Sequence, residues 1–140
     1  MEASQLEEIA RHIRRSPFAR SLGIELQELK EGYAVATMEV REDMLNSQGN
    51  PHGGAIFTLA DTAFGAASNS HGRKAVALNF TISYISAVST GTILRAEARE
   101  ESLGHRIGFY RITVATEQGK LVASCQATVY RKSESLLSGQ

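Results

Sequence analysis

The chain has 140 residues, 42% of them hydrophobic, which suits one core of ordinary size and leaves no room for a second. Its 15 Lys plus Arg balance its 15 Asp plus Glu, so no global positive field exists to hold nucleic acid or an acidic membrane. A single cysteine, Cys125, forbids an internal disulfide; the first residues lack the apolar stretch of a secretory signal, and no apolar run approaches the ~20 residues that cross a bilayer. A cytoplasmic chain is expected.

Residues 3–15 read as a short helix, with Leu6, Ile9, Ala10 and Ile13 at spacings of three and four and Pro17 as a breaker; residues 1–20 form an amino-terminal helical segment. From Tyr33 the pattern alternates as a strand does. The stretch Asn46-Ser47-Gln48-Gly49-Asn50-Pro51-His52-Gly53-Gly54 is dense in turn formers and predicts a loop. Beyond it, Ile56, Leu59, Ala60, Ala63, Phe64 and Ala67 share one arc at 100° per residue, which predicts a buried helix of roughly four or five turns. Its small residues permit another backbone to approach closely.

Four strands are expected after this helix. Val76, Leu78, Phe80, Ile82 and Tyr84 alternate with smaller residues, as do Leu94, Ala96 and Ala98; Tyr110, Ile112 and Val114 mark a third strand and Leu121 to Val129 a fourth. Short turns at Ser102-Leu103-Gly104 and Glu117-Gln118-Gly119 imply antiparallel neighbours. The fold class is therefore α+β: one long helix on an antiparallel sheet of about five strands, with residues 133–140 as a frayed tail. Hairpin-joined strands leave an edge that a second copy could cover.

Two features carry chemistry. Gly53 and Gly54 offer backbone N–H groups at the start of the buried helix, where the aligned peptide dipoles favour developing negative charge. Asp61 falls beside Phe57 and Phe64 at the edge of the apolar arc, where lost hydration makes a carboxylate more basic. Gly54 and Asp61 are seven residues apart, hence roughly 10.5 Å along the axis, too far for one carbonyl to meet both. Two antiparallel copies could set the helix start of one against the middle of the other. Activity would then require a dimer.

The run Asn46-x-x-Gly49-x-x-His52-Gly53-Gly54-x-x-Phe57-x-Leu59-Ala60-Asp61 resembles the signature of hotdog-fold thioesterases, above all the phenylacetate-degradation (PaaI-type) group. Leu22-Gly23-Ile24, Gly32-Tyr33-Ala34, Asn69-Ser70-x-Gly72 and Val129-Tyr130-Arg131 extend the likeness over nearly the whole chain, residues 1–140. The resemblance implies a sheet wrapped round a central helix, dimers that pair again into a homotetramer, and hydrolysis of acyl-CoA thioesters, aryl or phenylacetyl types among them. It implies that Asp61 activates water or attacks the carbonyl, that the partner's Gly53 N–H polarises that carbonyl, and that Asn46 stands near it. His52 belongs to the motif, as a general base or as a group that holds the loop, the latter favoured. The serine or threonine that some relatives carry on the strand after the helix has no clear counterpart at Ala77 and Asn79.

Phe57 and Phe64, with Met44 and Leu45, are expected at the acyl group, and Gly54 is expected among the substrate-binding residues. His105 and Arg106 are expected at the CoA phosphates, with Arg73, Lys74, Arg131 and Lys132 as further basic candidates. No histidine pair has zinc-like spacing, so neither metal nor cofactor is expected, coenzyme A being part of the substrate. No Gly-x-Ser-x-Gly elbow exists. Two other functions stand beside the first: a hydratase or dehydratase on acyl thioesters with His52 as base, and a non-catalytic acyl-CoA binding domain.

Overall fold

A computed structural model describes residues 1–137. The elements in chain order are α1 (Ala3–Arg14), α2 (Pro17–Ser21), β1 (Glu25–Lys30), β2 (Tyr33–Glu39), a 3-10 turn at Glu42–Met44, α3 (Gly53–Asn69), β3 (Arg73–Tyr84), β4 (Ile93–Leu103), β5 (Ile107–Thr116) and β6 (Leu121–Ser135). The strands form one antiparallel sheet in the order β1-β2-β4-β5-β6-β3. There are six of them; the one not anticipated is β1. Residues 133–135 belong to β6, and Leu136 donates to the Gly72 carbonyl at 2.7 Å, so the expected frayed tail is ordered at least to Leu137; residues 138–140 lie outside the described residues.

The 17-residue helix α3 lies on the inner face of the sheet. Its arc Ile56, Leu59, Ala60, Ala63, Phe64 and Ala67 is buried, as the periodicity predicts. Ala60, Ala63 and Ala67 face strands whose inward positions include Ala34, Ala36, Ala96 and Ala98, all fully buried. Small side chains on both layers let helix and sheet approach closely, and close packing makes such an interior intolerant of added volume.

The two sheet edges differ in kind. β1 is short, carries Glu25, Glu28 and Lys30, and is bulged between Leu26 and Glu28, all of which discourage a further strand. β3 is 12 residues long and has no charged residue from Ala75 to Tyr84. A bulge between Ala77 and Asn79 reverses its faces: Val76 and Leu78 point outward (43% and 58% exposed), whereas Phe80 and Ile82 pack on the core. The regular alternation of the sequence therefore does not lie on one face. No helix among the described residues is long and apolar enough to cross a membrane.

Candidate active site

The start of α3 is built by a self-closed loop. Asn46 Oδ1 accepts from the backbone N–H groups of Gln48 (2.9 Å) and Asn50 (3.1 Å), and a bridge between Leu45 and Pro51 closes the base. With its amide oxygen engaged, Asn46 presents its NH2 group as the available donor. Gly49, at φ 79°, takes the left-handed conformation the turn requires.

A helix start leaves four backbone N–H groups without intrahelical partners. Here three of the four are engaged: the His52 N–H donates to the Met44 carbonyl (2.7 Å), His52 Nδ1 accepts from Gly54 (2.9 Å), and the His52 carbonyl accepts from Ala55 (3.0 Å). The Gly53 N–H donates to no group among the described residues. This corrects the expectation of two open donors, because the imidazole that caps the helix takes one of them. Gly53 and Asn46 line a common groove of about 330 Å³ with Tyr84. The Tyr84 hydroxyl donates to the Gly53 carbonyl at 2.9 Å, and a Cβ on Gly53 would lie 3.0 Å from the tyrosine ring. Tyr84 was read from the sequence only as the end of a strand; nothing in its spacing marks it as a neighbour of Gly53.

Asp61 lies two turns along α3. At 100° per residue it is about 40° from Phe57, between the flank of α3 that meets β3 and the open top of the helix. Phe57 and Phe64 mark that flank through edge-to-face contacts with Phe80, at 4.8 and 5.6 Å between ring centroids. The carboxyl is half-buried, and burial pushes its pKa above the ordinary aspartate value because the charged form loses hydration. It lines a second groove of about 390 Å³ together with His12, Arg15 and Ser16.

The structure thus brings Asn46 and Gly53 together and keeps Asp61 apart from them. His52 and Gly54 face a third groove, beside Met44 and Leu45. Phe64 is only 2% exposed, enclosed by Phe80 and Tyr110, which corrects its expected place against an acyl group. Phe57, closed against Phe80, lines none of these grooves. His105 and Arg106 lie by the far end of β6, where the Arg106 carbonyl accepts from the Arg131 N–H. Arg131 pairs with Ala75 of β3, nine residues from Tyr84, so this basic end is roughly 30 Å from Gly53 in the same chain. Arg73 and Arg131 lie there too, joined through the Arg131 carbonyl at 3.2 Å.

Cys125 is buried among apolar residues, which pushes its thiol up to about 11 and leaves it unsuited to act as a thiolate. Among the described residues no cluster of three His, Cys, Asp or Glu side chains could hold a metal ion.

Residues 48–123 match the Thioesterase superfamily. The acyl-coenzyme A thioesterase PaaI of Escherichia coli K12 is 41% identical over 113 residues, covering 81% of this chain and 81% of its own. The solved structure of the E. coli PaaI protein, from the phenylacetic acid degradation operon, superposes with a TM-score of 0.91 at 35% identity, over 95% of this chain and 97% of that one. A Streptococcus mutans protein solved with acetyl-CoA bound is 30% identical, with a TM-score of 0.75 over 78% of this chain and 88% of its own.

Proposed function

The chain belongs to the thioesterase superfamily, with the hotdog fold, and from that premise we propose that it hydrolyses acyl-CoA thioesters at a site shared by two subunits. The observation that carries the reading is a pair of complementary groups on one helix: a single undonated N–H at Gly53, and a partly desolvated carboxylate at Asp61 that cannot reach it in the same chain.

In the proposed dimer the long uncharged edge of β3 pairs with its copy, continuing the sheet and setting the two α3 helices side by side. The thioester carbonyl lies between Asp61 of one subunit and the helix start of the other. Asp61 takes a proton from water as the oxygen attacks the carbonyl carbon. Negative charge on the carbonyl oxygen is met by the Gly53 N–H and the Asn46 amide NH2. Collapse of the tetrahedral adduct breaks the C–S bond, the thiolate of CoA takes the proton from Asp61, and the acid departs. Carbonyl, water and carboxylate suffice, so the chemistry needs no cofactor.

Antiparallel pairing of β3 also carries the basic end of one subunit toward Tyr84 of the other, where His105 and Arg106, with Arg73, suit the phosphates of CoA. A second pairing of dimers into a tetramer suits the outward Val76 and Leu78. Release of free thiol from a panel of aryl and aliphatic acyl-CoAs tests the activity: turnover of at least one is expected, and silence on all of them would contradict it. A hydratase with His52 as base is disfavoured because Nδ1 accepts from the Gly54 N–H, which leaves the proton of the neutral ring on Nε2 and no free basic nitrogen.

A further inference from the structure

We infer that the amino-terminal helices house the acyl group, in an apolar cleft between α1–α2 and β1; the inference rests on the thioesterase reading and names where that site takes its hydrocarbon. The cleft is about 280 Å³, just below the range typical of sites for drug-sized ligands, as suits a small acyl group. Its apolar walls are Ile13 of α1, Ala19 of α2, and Ile24 and Leu26 at the start of β1.

Two residues, Ile13 and Thr62, line both this cleft and the groove of Asp61. The two spaces therefore adjoin across Ile13 and Thr62, and the carboxylate lies in the groove on the other side of that shared wall. Thr62 satisfies its hydroxyl on the Thr58 carbonyl at 2.7 Å, so it brings no unpaired polar group to the wall. The α1–α2 wall is fastened to β1 and to the segment after β2: Arg14 Nη2 donates to the Leu26 carbonyl at 3.0 Å, and Arg41 Nη2 to the Ser21 carbonyl at 2.9 Å. By contrast, the flank of α3 at Phe57 and Phe64 is occupied by Phe80, which packs edge-to-face on both rings. Arg14, Arg20 and Glu25 border the cleft with charge, which sets the length at which burying further methylenes ceases to be favourable. A ring or medium chain fits; a long chain does not.

Two substitutions test this against acetyl-, octanoyl- and phenylacetyl-CoA. Ala19→Leu should lower kcat/KM for the two larger substrates roughly tenfold or more, the scale of discrimination that small changes in an apolar pocket produce. Acetyl-CoA, which does not reach Ala19, should change by less than about twofold. Ile13→Ala should shift preference toward longer chains, and it decides the matter alone if Ala19→Leu gives no cooperative thermal transition. An unmoved chain-length profile, or an equal loss on all three substrates, would overturn the inference while leaving the activity standing. An unsubstituted chain inert on every acyl-CoA would instead overturn the thioesterase reading and this one with it.

Discussion

In the proposed reaction Asp61 is the residue on which the chemistry turns, and its environment gives two signed expectations. Asp61→Asn keeps the side-chain volume and removes the base, so kcat should fall about 10²- to 10⁴-fold with little change in KM, measured as thiol release under saturating and limiting substrate. Burial raises the carboxyl's folded pKa above its unfolded value, so folding favours the protonated form. Stability is therefore greatest below the unfolded value and declines as pH rises through the folded one. At neutral pH the ionised group costs stability, and Asp61→Asn should melt at a higher temperature than the parent, the difference closing in acid; a lower midpoint at neutral pH would contradict a desolvated carboxylate. The acid limb of the kcat profile should likewise sit above the ordinary aspartate value. At Gly53 the question is one hydrogen atom. It is the first helical residue, His52 before it is extended at ψ 134°, and proline is compatible with both conditions while lacking the N–H. Gly53→Pro, with Tyr84 shifting to admit the ring, should cost about 10²- to 10³-fold in kcat, the usual effect of deleting one oxyanion donor.

The elements divide the labour between holding and reacting. His52 holds: His52→Ala removes the cap on Gly54 and should cost about 1 kcal/mol in denaturant unfolding, whereas His52→Asn, a strong capping residue, should restore most of it. Helix α3 was legible in the sequence because its apolar arc keeps one period for its whole length, and β4 and β5 because buried residues alternate with outward ones from Leu94 to Ala98 and from Tyr110 to Val114. β1 was not legible. Its inward residues, Leu26 and Leu29, are three apart because the bulge between Leu26 and Glu28 absorbs one position, so the spacing a strand should show is absent. The same device split the faces of β3. At the site, the motif named Gly53, Asn46 and Asp61 as candidates; Phe64 was set against the substrate by its place on the arc, and angle alone cannot tell a ring facing a groove from one enclosed by Phe80 and Tyr110. Tyr84 and the α1–α2 wall escaped notice because sequence separation hides such contacts; Tyr84 is 31 residues from Gly53.

At the scale of the whole molecule, one chain sets Gly53 and Asp61 in different grooves, and the proposed site depends on a second copy joining them. Complementation measures this directly. Asp61→Asn and Gly53→Pro subunits are each nearly inactive alone, but a heterodimer of the two has one site with both groups intact and one with neither. Equal amounts unfolded and refolded together should regain roughly a quarter of the parental thiol-release rate, since half the dimers are mixed and each carries one working site of two. A refolded mixture no more active than either variant by itself would contradict the shared site.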